Sequence, residues 1–246
     1  MLNTAWGRAP LKLSLTLDTV HVWRINLPMP ESFKIKLAEN LIKTEIERLN
    51  SFFFDRDKER FLVSRGGLKD ILSRYLECSP VDIQLEYTAY GKPYLRNSDL
   101  RFNVSHAGNC ILYAISKDIE VGIDIEYLNK TIDFLEIAQN FFSENEYKGI
   151  LMFSQEDERI NAFYRCWTRK EALMKGIGKG LSIPLNQIEV DLLSEEGLAV
   201  LKGDLLWEGE WQLKEINVGK EYIAVLARAK NFGEINYWDW QNIYKC

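Results

Sequence analysis

Histidine is nearly missing from this chain: His21 and His106 are the only two in 246 residues. Metal chemistry built on several imidazoles is therefore excluded. Cysteine is scarce as well. Cys78, Cys110, Cys166 and Cys246 are scattered and form no Cys-x-x-Cys pair, which rules out a zinc ribbon or disulfide framework and reads as reduced cytosolic thiols. Positive charge is in deficit, with 31 Lys plus Arg against 36 Asp plus Glu and a net charge of -5. Without a long-range positive field the chain is not expected to bind nucleic acid or a membrane surface, and an anionic ligand needs a local basic cluster. Long hydrophobic runs are also lacking. The apolar stretch from Met1 to Leu15 is interrupted by Arg8 and Lys12, so neither a signal peptide nor a membrane span is expected, and the expected location is the cytoplasm.

What is present is ordinary for a soluble globular protein: 46% hydrophobic and 27% charged residues, enough chain for one large domain or two smaller ones. Alternation predicts a strand over Thr19 to Leu27. Apolar steps of three and four predict helices over Ser32 to Asn50 and Asp57 to Leu76, joined by Phe52-Phe-Phe54. Strands are expected at Ile83 to Tyr87, Phe102 to Ser105, Cys110 to Ser116 and Glu120 to Glu126, with turns at Tyr90 to Pro93 and Ala107 to Asn109. Short helices over Asp133 to Asn140 and Glu144 to Leu151 precede a long one over Asp157 to Lys175. Strands return at Val190 to Leu192, Trp211 to Ile216 and Tyr222 to Ala227, with Gly203, Gly209 and Gly219 available for turns. Helix-then-strand order occurs twice. The reading is an α+β protein of two docked lobes, 1–118 and 119–246, with a boundary near Lys117 to Glu120.

Three clusters carry chemistry. In Val121-Gly-Ile-Asp-Ile-Glu126, period-two alternation places Gly122, Asp124 and Glu126 on one face. Paired carboxylates suit a hard divalent cation, and the glycine leaves room for a bulky ligand; a wet polar strand face explains the hexapeptide equally well. On the long helix, steps of four align Trp167, Glu171 and Lys175, flanking either a site or only a solvated Glu-Lys pair. Phe102-Asn-Val-Ser-His106 delivers a hydroxyl and an imidazole toward a glycine turn. Their adjacency in a strand argues against a Ser/His nucleophile pair but leaves both as donors to phosphate. Gly176-Ile-Gly178-Lys-Gly180 follows a helix rather than preceding one, so it reads as a C-cap and not a phosphate cradle.

Taken together, the motifs resemble those of the Sfp-type 4'-phosphopantetheinyl transferases. The resemblance is carried by Gly122-Ile-Asp-Ile-Glu126 and, with 42 residues between Asp124 and Trp167, by Trp167-Thr-Arg-Lys-Glu-Ala-Leu-Met-Lys175. Tyr90-Gly-Lys-Pro93, Asn103-Val-Ser-His106 and Phe141-Phe-Ser-Glu-Asn-Glu-Tyr147 appear in the family's order. It implies an α+β fold of two similar subdomains related by pseudo-twofold symmetry, with coenzyme A in the cleft between them. It further implies Mg²⁺ held by Asp124, Glu126 and Glu171, phosphates met by Lys175, Ser105 and His106, the 3'-phosphate met by Arg60, and adenine bordered by Gly91, Lys92 and Pro93. The implied reaction is attack by a serine of an apo acyl or peptidyl carrier protein on the β-phosphate of coenzyme A, releasing 3',5'-ADP. Glu171 is the favoured base, the catalytic set being Glu171, Lys175 and Asp124. Tyr127 to Tyr147, with Leu128, Lys130, Leu135, Phe141 and Phe142, is the candidate carrier surface, the alternative being that its aromatics are core. Chain length points to a monomeric enzyme. The rival expectation is a non-catalytic coenzyme A or nucleotide-binding module.

Overall fold

The computed structural model of the chain describes residues 4–192, 196–201, 210–229 and 232–243. One order of elements occurs twice. The first half runs β1 (Thr19–Asn26), two short helices α1 (Glu31–Ala38) and α2 (Lys43–Ser51), the 22-residue α3 (Asp55–Leu76), a small hairpin of β2 (Glu86–Tyr87) and β3 (Pro93–Tyr94), then β4 (Leu100–Ala107) and β5 (Cys110–Lys117). The second half runs β6 (Val121–Tyr127), short helices α4 (Phe134–Phe141) and α5 (Glu144–Leu151), and the 22-residue α6 (Glu156–Ile177). It closes with β7 (Ile188–Val190), β8 (Glu196–Leu201), β9 (Trp211–Glu215) and β10 (Tyr222–Ala229). In each half the last strand pairs antiparallel with the first. The fold is α+β with two topologically equivalent halves. The last strand, β11 (Glu234–Asp239), runs parallel to β1, so the first sheet is ordered β11-β1-β5-β4 and the second β6-β10-β9-β8-β7. The chain thus passes between sheets after β5 and returns at its end.

Four layers result. Trp23, Ile25, Ile111, Tyr113 and Ile115 face the first-half helices and pack on Leu37, Val63, Ile71 and Leu72. Opposite faces of the same strands, Val20, Val22, Leu112 and Ala114, meet Val121, Ile123, Ile125, Ala224 and Leu226 of the second sheet. The far side of that sheet, with Leu213, Val225 and Ala227, receives Phe163, Cys166 and Leu173 of α6. Strand β5 is consequently apolar along nearly its whole length, because both of its faces are covered.

The two sheets are also pinned edge to edge. Asn103 Oδ1 accepts the Ile123 amide at 2.9 Å, and Ser105 Oγ accepts that of Ile125 at 3.4 Å. Side chains of β4 thereby satisfy donors on the open edge of β6.

Several expectations are corrected. The helix over Ser32 to Asn50 is broken after Ala38, where Asn40 turns inward to donate to the Gly66 carbonyl at 3.1 Å. Helix α2 restarts with the Glu45 carboxylate accepting the Ile42 amide, and Glu45 also pairs with the buried Lys69. Apolar spacing continues smoothly across that break and does not register it. Only the end of the Ile83 to Tyr87 stretch is a strand, since Ile83 closes a 3₁₀ turn at Pro80–Asp82 and is buried. The strand expected at Val190 to Leu192 lies at Ile188–Val190, and β8 and β11 had no counterpart in the sequence reading. Gly219 adopts a turn conformation with φ +128°, whereas Gly203 and Gly209 lie outside the described residues. No helix among the described residues is long and apolar enough to cross a membrane.

Candidate active site

The site forms where β6 crosses α6. As alternation predicts, Val121, Ile123 and Ile125 are buried between the sheets, leaving Gly122, Asp124 and Glu126 to face the helix. Gly122, however, makes room for no ligand. A Cβ there would lie 2.0 Å from the Ala172 carbonyl oxygen and 2.4 Å from the Gly176 nitrogen, so the space belongs to the backbone of α6. The missing side chain lets strand and helix touch, and that contact brings Lys175 over Asp124.

Asp124 is only 2% exposed. Its Oδ1 accepts the Lys175 ammonium at 2.6 Å and the Ser105 hydroxyl at 2.9 Å, while its Oδ2 is buried with no donor among the described residues. Burial pushes the Asp124 carboxyl up, against the pull of Lys175 and Ser105. Glu126 is pushed up to about 7, first by burial and then by the charge of Asp124, with Lys175 and a hydrogen bond from Trp167 opposing. Burial and Asp124 raise Glu171 in the same way. Three carboxylates thus share one ammonium, and the local excess of negative charge invites a cation. As arranged, no three His, Cys, Asp or Glu side chains among the described residues converge on one metal position. The Lys175 ammonium already occupies Oδ1.

Ser105 and His106 point to opposite faces of β4, as expected: Ser105 is buried on Asp124 and His106 is exposed. Desolvation of its ring, then the charges of Arg60 and Lys175, lower the His106 pKa. Arg60, projecting from α3, reaches the Gly108 carbonyl at 3.5 Å and Asp57 at 3.9 Å. Its Nε is buried without a partner among the described residues, a donor left over for an anion. Gly108 sits at φ +52° under Tyr222 and Tyr127, whose rings meet edge to face at 5.4 Å.

Gly91, Lys92 and Pro93 form the β2–β3 turn, as expected, with Gly91 at φ +82°. The turn lies against the end of α6, where Gly178, at φ +75°, is the C-cap. Two of the three Lys92 ammonium donors are engaged there, 2.7 Å from Glu120 Oε2 and 2.7 Å from the Gly176 carbonyl.

Lys170, inside the Trp-x-x-Lys-Glu run, escaped the sequence reading. It is completely buried and donates to the carbonyls of Leu185 and Ile188 while pairing with Glu146 at 2.7 Å. Glu146 in turn accepts the amides of Ser143 and Val190, which ties α5, α6 and β7 together. The signal was available: Lys170 lies four residues after the core residue Cys166, on the stripe that faces inward. Within the candidate carrier surface, Phe142 is core, stacked on Phe163, and Leu128 and Leu135 lean on that core. Tyr127 and Phe141 are exposed, and Lys130 pairs with Asp157 at the surface.

The arrangement sets three carboxylates around one ammonium with the Ser105 hydroxyl between them, groups able to accept or donate protons and to balance charge. Sequence comparison identifies the family. The 4'-phosphopantetheinyl transferase superfamily model matches residues 120–227, and that of the 4'-phosphopantetheinyl transferase N-terminal region matches residues 24–118. The chain is 35% identical to the 4'-phosphopantetheinyl transferase HetI of Nostoc sp. over 242 residues, covering 97% of this chain and 99% of HetI. It is 37% identical to Sfp of Bacillus subtilis over 147 residues, which are 59% of this chain and 64% of Sfp. With human L-aminoadipate-semialdehyde dehydrogenase-phosphopantetheinyl transferase it shares 29% over 209 residues, 77% of this chain and 67% of that one. With matches spanning both halves and the carboxylate-lysine cluster at their junction, the chain belongs to the 4'-phosphopantetheinyl transferase family.

Proposed function

We propose that this chain transfers 4'-phosphopantetheine from coenzyme A to a serine hydroxyl of an apo carrier protein, releasing 3',5'-ADP, and that it does so as a single two-lobed chain. The observation that carries the reading is the Asp124 carboxylate, buried with one oxygen on Lys175 and Ser105 and the other without a donor among the described residues. The carboxylate excess around it fits a hard cation. Asp124, Glu126 and Glu171 would hold Mg²⁺, which when bound supplies positive charge to the pyrophosphate.

The chain's own residues account for the rest. Lys175, Ser105 and His106 would bind the phosphates, and the spare Nε of Arg60 would bind the 3'-phosphate. Gly91 and Pro93 would border the adenine. The attacking oxygen comes from the carrier, so the enzyme needs a base and not a nucleophile. Glu171, raised by burial and by Asp124, is suited to accept the serine proton. The carrier would dock beside the exposed Tyr127 and Phe141. The functional units would be 1–118 and 119–246, with β11 the exception that rejoins the first sheet.

Intact mass spectrometry tests this reading, using apo acyl carrier protein and an apo peptidyl carrier domain incubated with coenzyme A, Mg²⁺ and the protein. A phosphopantetheine-sized mass gain that disappears with Glu171→Gln supports the transfer. Tight coenzyme A binding with no gain on either carrier would instead leave a binding module without turnover.

A further inference from the structure

We infer that Lys92 is a positioning residue that fixes the last turn of α6, and with it Lys175, rather than a contact to the nucleotide base. This inference rests on the transferase reading and deepens it. Lys92 belongs to the first half of the chain, yet its ammonium lies 2.7 Å from Glu120 in the connection between halves and 2.7 Å from the Gly176 carbonyl of the second. Its side chain is only 13% exposed, and its Cδ lies 2.9 Å from where a Cβ on Gly178 would stand. The lysine stem therefore runs under the C-cap of α6, where a Cβ on Gly178 would crowd it.

Physical chemistry gives this contact a purpose. The last four carbonyls of a helix have no intrahelical donor, and a cation at that end is favoured by the helix dipole. Gly176 is one of those last carbonyls, the residue next to Lys175, and the point where α6 touches Gly122 of β6. Holding its carbonyl sets the register between helix and strand, on which the Lys175-to-Asp124 contact depends. Glu120 is braced in turn by Arg101 at 3.2 Å. The supporting turn is rigid: Thr88 accepts the Gly91 amide on its carbonyl and the Lys92 amide on its hydroxyl, and donates its own amide to the Lys92 carbonyl. An ammonium already carrying two short bonds has little left for a base.

The test combines kinetics with hydrogen exchange on Lys92→Met, Lys92→Arg and Glu120→Gln. In Lys92→Met, kcat is expected to fall roughly tenfold or more with little change in the KM for coenzyme A, as displacement of a reacting-site group by a fraction of an ångström does. Amides of residues 172–178 should exchange faster in the same variant without ligand. Lys92→Arg, whose guanidinium reaches both acceptors, should restore most of both. A rise in KM with kcat and exchange unchanged would overturn the inference in favour of a direct ligand contact. If Lys92→Met does not fold, Glu120→Gln must by itself accelerate exchange in 172–178, and failure to do so overturns the inference. Absence of transfer by the unsubstituted protein would sink the transferase reading instead, while the exchange result would still decide the role of Lys92 on α6.

Discussion

Lys175 and Asp124 form a closed triangle with Ser105: the ammonium is 2.6 Å from Asp124 Oδ1, and the Ser105 hydroxyl is 2.9 Å from each. An ammonium in that position competes with any metal cation for the same carboxylate. Lys175→Gln should therefore weaken coenzyme A binding by about tenfold or more through loss of a charged donor to phosphate, yet tighten Mn²⁺ binding to the ligand-free protein. Titration of free Mn²⁺ by electron paramagnetic resonance checks the second effect, and a weaker Mn²⁺ affinity in the variant would contradict it.

Ser105 serves three partners at once, donating to Asp124 and accepting from the Lys175 ammonium and the Ile125 amide. Ser105→Ala leaves all three short of a partner in a buried place, at a cost of about 1–3 kcal/mol. Urea unfolding should show the loss as a lower midpoint with an unchanged slope.

At Gly122 the obstacle is backbone, which cannot rotate away. Gly122→Ala is expected to destabilise by about 3 kcal/mol and to abolish transfer by parting β6 from α6. A stability within 1 kcal/mol of the original, on the order of a surface substitution, would show that the two elements tolerate separation.

His21 carries a pH signature. Burial lowers its pKa from 6.5 to about 4, and its Nδ1 lies 2.8 Å from the Tyr75 hydroxyl, which accepts the Trp23 indole N–H. Between those values the unfolded chain binds the proton and the folded chain does not, so this contribution to stability, about 3 kcal/mol, is lost as pH falls from 6.5 toward 4. Glu126, raised to about 7, acts with the opposite sign over much of the same range. The difference between the unsubstituted protein and His21→Gln isolates the histidine: the variant's stability should fall less steeply below pH 6.5, and parallel curves would refute the assignment.

The sequence showed which residues share a face but not what lies across from it. Alternation put Asp124 and Glu126 together correctly, because a strand's period is independent of its neighbours. The same reasoning misjudged Gly122, whose role is set by a helix some fifty residues away. On sequence Phe142 stays open between carrier surface and core for the same reason, since an aromatic at a helix end looks alike whether or not Phe163 covers it. The break between α1 and α2 depends on one buried amide, Asn40, finding the Gly66 carbonyl. Strand β11 pairs with a partner more than two hundred residues earlier, which no local pattern encodes.

The repeated order of elements has a consequence for how function is divided within the molecule. In both 22-residue helices the sixteenth residue is a carboxylate, Asp70 or Glu171, and the twentieth is a cation, Arg74 or Lys175. In α3 the carboxylate is sealed, bound to Arg74 and to the indole of the buried Trp240. In α6 the same address meets another element, Lys175 pairing with Asp124 of β6. One half of the chain thus uses its acid and base as masonry, which frees the other half to keep an unneutralised cluster that would be costly to fold alone.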